Sequence, residues 1–198
     1  MTVAQFTDTV PLLLNVCHAT IQVTPVEFEQ LCIDNPDLRL ELTATGELIV
    51  MAPAGWESSQ RNMNLGSQVF NWNQKSQLGK VFDSSGGFTL LSGAIRSPDV
   101  TWIEKSKFDN ISTEAAFPRL VPDFVIELRS QTDSLKTLQA KMVEYIDNGV
   151  RLGLLINPQN QAVEIYRAGK SPEIFKSPTS VDCDEVLPGF KLDLTAIW

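Results

Sequence analysis

The sequence predicts an α/β (α+β) domain in which a mixed β-sheet is flanked by helices. Two apolar segments, 123–128 and 152–156, have the length and composition of buried strands, and the segment between them has the spacing of an amphipathic helix. A strand, a helix and a strand in succession indicate a βαβ crossover, and shorter strand patterns joined by turns indicate further neighbours. The chain has 198 residues, 43% of them apolar, which is enough for one substantial core.

The first half of the chain predicts a capped helix, a hairpin and a long helix. The capping box at Thr24-Pro25-Val26-Glu27 predicts a short helix that ends near residue 33. Segments 38–42 and 47–52 flank a tight turn and predict a β-hairpin. After a break, a helix is predicted from Trp56 to about Gln77, with Gly79 ending it. Its predicted apolar face consists of Trp56, Met63, Val69, Phe70 and Trp72.

The second half predicts strands around one clear helix. That helix starts at Leu135, carries an apolar stripe to Ile146, is capped by Asp133 or Ser134, and ends at Gly149. The predicted strands are 81–82, 88–91, 100–103, 123–128, 152–156 and 162–166. The remainder of the chain predicts edge strands and a tail packed by Leu187, Phe190, Leu192 and Leu194.

Composition narrows the class of protein. We expect an N-terminal segment, 1–20, before a single domain, 21–198, because no linker or repeat divides the chain. Three scattered cysteines fit a reducing compartment, which predicts a cytoplasmic protein. No apolar run approaches the ~18 residues of a membrane span. An edge strand near the C-terminus favours a homodimer as one form of assembly.

The charge balance argues against a protein that coats duplex DNA. There are 24 acidic and 16 basic residues, which gives a net charge of −8, and the one histidine, His18, argues against a His-rich zinc site. A local basic strip stays open, either as a phosphate-facing rim or as ordinary solvated surface. Its candidate members are Arg96, Lys105, Lys107, Arg119 and Arg129.

Asp99 and Glu127 are the candidate chemical groups, because each is a carboxylate in an apolar strand. Asp99 follows Pro98 at the start of one strand, and Glu127 lies inside another. Two carboxylates on neighbouring strands would form a hard oxygen site suited to Mg²⁺ or Mn²⁺. The alternative is structural: Asp99 caps a turn and Glu127 faces solvent.

Lys141 is the third candidate, at the edge of the apolar stripe of the second-half helix. An ammonium there can reach the strand ends, where it would orient an attacking water or stabilise a phosphoryl transition state. The alternative is a lysine whose stem covers the core while its head lies in water.

Several segments occur together in the order of a known family. They are Thr24 to Phe28, Glu41 with Gly46 to Pro53, Ser97 to Val100, Asp123 to Leu128, Lys141 through Tyr145 to Val150, and Leu155 to Pro158. In these segments the chain resembles the Uma2 family, formerly a family of unknown function that is abundant in cyanobacteria. The resemblance covers about residues 20 to 195.

The resemblance implies a restriction-endonuclease-like core and a PD-(D/E)XK nuclease site. Asp99 matches the aspartate of the first motif and Glu127 the acidic residue of the second. The usual lysine two positions further on is replaced by Arg129, and Lys141 matches the place on the following helix to which the family's lysine is thought to have moved. Arg129 either substitutes electrostatically for the lysine or signals decay of the site.

Two further acids have both a functional and a plain interpretation. Glu57, at the start of the long helix, lies near where related nucleases place a metal-assisting carboxylate, and it is equally an acid favoured by a helix N-terminus. Asp133 matches an acidic position before the family's helix, and helix capping explains it.

The sequence therefore predicts a metal-dependent endonuclease that hydrolyses DNA, with Asp99, Glu127 and Lys141 as catalytic residues. Its predicted metal ligands for Mg²⁺ or Mn²⁺ are Asp99, Glu127 and Glu57. Two alternatives stay open: a catalytically inactive nuclease fold that serves as a binding module, and a phosphoesterase for a small nucleotide. A basic, open cleft would favour DNA, and a closed, narrow one would favour the nucleotide.

Overall fold

A computed structural model describes residues 20–108 and 115–198, and the predicted N-terminal segment therefore lies almost wholly outside the described residues. Within the described residues there are three α-helices: α1 (Pro25–Asp34), α2 (Trp56–Ser76) and α3 (Leu135–Asp147). Two short 3-10 helices follow strands β6 and β8, at Lys105–Phe108 and Pro158–Asn160. The strands are β1 (Arg39–Leu42), β2 (Leu48–Met51), β3 (Gly79–Asp83), β4 (Phe88–Thr89), β5 (Ile95–Arg96), β6 (Val100–Glu104), β7 (Phe124–Leu128), β8 (Leu152–Asn157), β9 (Ala162–Arg167), β10 (Glu173–Lys176), β11 (Ser180–Asp182) and β12 (Lys191–Asp193).

The centre of the molecule is a six-stranded mixed sheet in the order β10-β9-β8-β7-β6-β3. β7 and β8 run parallel and are connected through α3, which is the predicted crossover, while the other neighbouring strands are antiparallel. A four-stranded sheet, β2-β1-β5-β4, contains the predicted N-terminal hairpin, and β11 pairs with β12. The prediction of a mixed sheet flanked by helices is confirmed.

The two faces of the six-stranded sheet differ in chemistry, and strand β7 shows the difference best. All five of its residues are buried. Phe124, Ile126 and Leu128 belong to an apolar cluster with α2 and the C-terminal segment, whereas Val125 packs with α3. Glu127 follows Val125 with side-chain period two, so it also lies on the α3 face.

The buried face of helix α2 agrees with the predicted one only in part. Val69 is buried and Trp72 packs against the core, as predicted. Trp56, Met63 and Phe70 are exposed, however, and Leu65, which was not predicted, is buried. The buried stripe continues to a polar residue, Asn73, whose amide bonds to the backbone of Gly79 and accepts from the indole N–H of Trp102. The helix turns this polar side chain inward because the buried indole needs an acceptor, a requirement that apolar periodicity does not reveal.

The ends of the helices follow the predicted signals more closely. Thr24 and Glu27 form the predicted capping box of α1, and Ser134 caps α3 by accepting from Thr137 N–H. Gly149 lies just beyond α3 with a φ of 101°, the left-handed conformation that ends a helix. In the described parts of the chain, no helix is long and apolar enough to cross a membrane.

Candidate active site

Asp99 lies just before β6 and connects that strand to β7 and α2. Its Oδ2 accepts from Leu128 N–H at 2.9 Å, and its Oδ1 accepts from Asn62 Nδ2 at 3.2 Å. Burial raises the pKa of Asp99, although the Leu128 N–H and the nearby cation of Lys141 oppose the rise. Asp99 is therefore a largely desolvated carboxylate with a fixed orientation, and its hydrogen bonds join separate elements rather than cap one turn.

Glu127 is 4% exposed, which excludes the interpretation that it faces solvent. Its Oε1 accepts from Tyr145 Oη at 2.8 Å and contacts Lys141 Nζ at 2.9 Å. No residue that the structure describes donates to its other oxygen, Oε2. Burial raises the pKa of Glu127 to about 7 against the opposing effect of Lys141, and the negative charge of Asp99 adds to the rise.

Lys141 projects from α3 between two carboxylates, with its Nζ 2.9 Å from Glu127 Oε1 and 2.9 Å from Glu41 Oε1. Its side chain is 13% exposed, so the interpretation of a lysine with its head in water is wrong. Burial alone would lower the pKa of Lys141, but the two carboxylates outweigh it and raise the pKa. Lys141 is therefore an ammonium at neutral pH and acts as a cationic hydrogen-bond donor, not as a base.

Glu41, on β1, is the residue of this cluster that had no predicted role. It is 2% exposed, and it accepts from Ser97 N–H and is paired with Arg96 as well as Lys141. Burial raises its pKa, but Lys141 and Arg96 more than offset this, so the pKa is lowered and Glu41 stays ionised. The available signal was a single acid between two apolar residues, Leu40-Glu41-Leu42, in a predicted strand.

Apart from Glu41, the groups of this cluster open onto one cleft of about 810 Å³. Asp99, Glu127 and Lys141 all line it, so the structure brings the three predicted catalytic residues to one place. The cleft is bounded by the segment after β2, the start of α2 and the segment after β7. Its other charged or amide-bearing lining residues are Arg39, Glu57, Arg61, Asn62, Arg129, Gln131, Asp133 and Gln159.

The five basic residues considered for a phosphate-facing rim do not form one around the cleft. Among these five only Arg129 lines the cleft, where its Nε donates to the Asp133 carbonyl. Arg96 is 7% exposed because its guanidinium is satisfied internally by acids, and Lys107 pairs with Asp123. The cations that do line the cleft besides Arg129 and Lys141 are Arg39 and Arg61.

The two further acids, Glu57 and Asp133, differ in their contacts. Glu57 lines the cleft but is 45% exposed and pairs with Arg61 at 3.3 Å. Within the described residues no three acids, histidines or cysteines are grouped closely enough to hold a metal, so the structure does not gather Glu57 with Asp99 and Glu127. Asp133 accepts from Ser130 N–H at 2.8 Å and organises the turn before α3.

Asn62, on α2, is a further polar residue of the site that sequence analysis did not identify. Its Nδ2 donates to Asp99, whereas its Oδ1 is buried and has no hydrogen-bond partner in the structure. An unsatisfied buried acceptor is uncommon and costs free energy. Asn62 therefore binds Asp99 from α2 and, at the wall of the cleft, keeps one buried amide oxygen without a partner among the described residues.

Comparisons with known proteins identify the family and the fold of the chain. The model of the Uma2 family, described as "Putative restriction endonuclease", matches residues 25–195. The fold is similar to the crystal structure of a "putative nuclease belonging to DUF820" from Anabaena variabilis, with a TM-score of 0.70 and 19% identity over 80% of this chain and 88% of that chain. No curated protein matches the chain. The predicted nuclease fold is confirmed, and since the family model spans most of the sequence, the chain belongs to the Uma2 family.

Proposed function

We propose that this protein is a metal-dependent endonuclease that hydrolyses phosphodiester bonds in DNA. The observation that supports the proposal is the convergence of Asp99, Glu127 and Lys141 on one cleft from three separate elements. Membership of a family described as a restriction endonuclease supports the same reaction class. Arg39, Arg61 and Arg129 line the same cleft and offer guanidinium groups of the kind that contact phosphate oxygens, although the four acids of the lining balance the charge of its four cations.

The donor set fits a hard divalent cation such as Mg²⁺ or Mn²⁺. Asp99 and Glu127 offer carboxylate oxygens, and Asn62 offers an amide oxygen that lacks a partner in the structure. Both carboxylates are desolvated and repel each other, a cost that a cation between them would relieve. Glu57 would have to leave its pair with Arg61 to approach, so the proposal assigns the cation chiefly to Asp99 and Glu127.

When bound, such a cation supplies Lewis acidity toward a phosphoryl oxygen and lowers the pKa of a water molecule. The chain's own residues supply orientation and charge. The Leu128 N–H and the Asn62 amide fix the carboxylate of Asp99, and Tyr145 fixes that of Glu127. The Lys141 ammonium donates to the attacking water or to phosphate oxygens, where it offsets the negative charge that develops during cleavage.

Cleavage of duplex and single-stranded DNA, measured with Mg²⁺ and with Mn²⁺, tests the proposal. Asp99→Asn and Glu127→Gln keep the side-chain shapes but remove charge, and each should lower the rate by at least about 100-fold. Glu164→Gln is the matched control, since Glu164 is a buried acid, 5% exposed, that does not line the cleft. Chelation of the metal should abolish cleavage by the parent protein.

Equal cleavage by the parent protein and the two site variants would indicate a contaminant and overturn the assignment. A parent protein that binds DNA but cleaves nothing with either metal would instead support the inactive binding module. Cleavage of a small nucleotide ester with no cleavage of DNA would support the phosphoesterase.

A further inference from the structure

Glu41 lies in a different sheet from Glu127 and outside the set of predicted catalytic residues. Its Oε1 lies 2.9 Å from Lys141 Nζ and also accepts from Ser97 N–H at 2.9 Å. Its Oε2 accepts from Arg96 Nη1 at 3.2 Å. Three donors from two other elements and the segment after β5 therefore hold one buried carboxylate in a single orientation.

The position of Lys141 depends on this carboxylate because an ammonium has three N–H donors. One is directed to Glu127 and one to Glu41, each at 2.9 Å, which leaves the third for the cleft that Lys141 lines. Without Glu41 a single anchor would remain, and the four-carbon stem could rotate about it. Two anchors together restrict the direction of the third N–H.

Arg96 explains how Glu41 itself stays in place. The same guanidinium that contacts Glu41 donates through Nε to Glu144 Oε2 at 2.7 Å. Glu144 lies on α3 three residues after Lys141, and therefore on the same side of the helix. Glu41 on β1 is therefore connected to α3 twice, directly through Lys141 and indirectly through Arg96 and Glu144. These two connections fix Glu41 and the helix relative to each other.

We infer that Glu41 is a positioning residue that holds the Lys141 ammonium at the cleft, and that this ammonium is competent for cleavage only when Glu41 is ionised and in contact with it. The contact between Glu41 and Lys141 follows from the geometry of the structure, whereas the effect of this contact on cleavage depends on the proposed function. Glu41 does not line the cleft, so it acts through Lys141 rather than on a substrate.

Glu41→Gln tests the inference, with Glu164→Gln as the matched control. Both replace a buried glutamate that is at most 5% exposed, and Glu164 has partners of its own in Gln139 and Tyr166. Glu41→Gln should lower kcat roughly 10- to 100-fold with KM almost unchanged, because it misplaces a group used in the transition state. Glu164→Gln should leave kcat unchanged.

A second measurement, by NMR spectroscopy, does not require the protein to cleave DNA. In proton–nitrogen NMR spectra of the parent protein, the buried ammonium of Lys141 should give a slowly exchanging signal, which Lys141→Arg removes and so assigns. Glu41→Gln should broaden or abolish that signal, and Glu164→Gln should preserve it. Glu41→Asp, which keeps the charge near Arg96 but shortens the side chain, should give a smaller effect of the same kind and covers the case in which Glu41→Gln does not fold.

An unchanged ammonium signal in Glu41→Gln and Glu41→Asp would overturn the inference, as would a parental kcat in folded Glu41→Gln. If the parent protein itself cleaves nothing, the proposed function fails, and the NMR signal alone decides whether Glu41 holds Lys141. Loss of the signal in Glu41→Gln then still supports the positioning role.

Discussion

The two faces of the six-stranded sheet differ in whether they bury ionisable side chains. On the face covered by α2 and the C-terminal segment, strands β6 to β9 contribute a continuous apolar cluster. On the face covered by α3, strands β7 to β9 contribute to a second apolar cluster, but they also contribute two glutamates that are almost fully buried, Glu127 and Glu164. One sheet therefore has an apolar core on one side and a core that also contains buried carboxylates on the other.

This contrast shows how the fold accommodates buried charge. Each glutamate of the α3 face accepts from a tyrosine hydroxyl, Tyr145 for Glu127 and Tyr166 for Glu164. Each also contacts one further side chain of α3, which is Lys141 for Glu127 and Gln139 for Glu164. Of the two, only Glu127 is paired with a cation and only Glu127 lines the cleft. A buried carboxylate costs free energy unless it is paired and hydrogen-bonded. The glutamate with the cationic partner thus lies where the proposed chemistry needs it.

The largest expected effect comes from removing the cation of the α3 face. Lys141→Met leaves Glu41 and Glu127 without their shared ammonium, and loss of one partner of a buried pair costs about 3–5 kcal/mol of unfolding free energy. Leu154→Ala, in the apolar cluster of the other face, should cost a similar amount, about 2–5 kcal/mol, through the cavity it leaves. Urea denaturation at neutral pH measures both.

The losses of unfolding free energy caused by Lys141→Met and by Leu154→Ala should differ in their dependence on pH. The cost of Lys141→Met should shrink near pH 5, since protonation of Glu127 removes part of the unpaired charge, whereas the cost of Leu154→Ala should stay constant. Lys136→Met, an exposed lysine on the same helix, is the control for the loss of a surface charge. A cost below about 1 kcal/mol for Lys141→Met would show that the buried pair does not stabilise the α3 face.

The next largest effect is a pH dependence of the unfolding free energy that Glu127 alone causes. Its pKa is about 7 in the folded protein, against 4.5 for an ordinary glutamate, because burial favours the protonated form. An acid with a raised pKa stabilises the fold fully below its unfolded pKa and loses that stabilisation as the pH rises through the folded pKa. Without divalent metal, the unfolding free energy should therefore fall by about 2 kcal/mol between roughly pH 5 and pH 7.5.

Glu127→Gln cannot ionise, so the difference between parent and variant isolates this contribution from all other titrating groups. Thermal unfolding over this pH range in the presence of a chelator measures the difference. An excess of Mg²⁺ should restore stability to the parent at pH 7.5 and not to Glu127→Gln, because ligand binding stabilises only the state that binds it. Parallel pH profiles for the two proteins would refute the raised pKa.

Local patterns were sufficient for much of the fold. The α3 region was predictable because an amphipathic stripe, a capping residue and a left-handed glycine all indicate the same boundaries, and apolar strands flank it on both sides. The short strand β5 was missed, since two residues that pair with β1 and β4 have no pattern of their own. The face of α2 was assigned only partly correctly, because its buried stripe of Leu65, Val69 and Asn73 includes a polar residue that apolar periodicity does not detect.

The candidate site was predictable only in part, because some of its contacting residues are far apart in the sequence. Asp99 and Glu127 are acids in apolar strands, a conspicuous local signal that the family resemblance reinforced. Glu41 contacts Lys141 across 100 residues, and the partners of Arg96 are 55 and 48 residues away. Because such pairs leave no periodic trace, Arg96 was expected at the surface and Glu41 had no assigned role.

The smallest effect compares the two tyrosines that donate to the buried glutamates. Tyr145→Phe and Tyr166→Phe each remove one hydroxyl, at 2.8 Å from Glu127 and at 2.7 Å from Glu164. Each should lower the unfolding free energy by about 1–3 kcal/mol at neutral pH, since a buried acceptor loses a donor. If the α3 face is specialised at the cleft, only Tyr145→Phe should also lower the rate of DNA cleavage, because only Glu127 lines the cleft. Equal stability losses with equal rate losses would show instead that both glutamates act on activity through the packing of α3, and the distinction between a cleft acid and a purely structural acid would not hold.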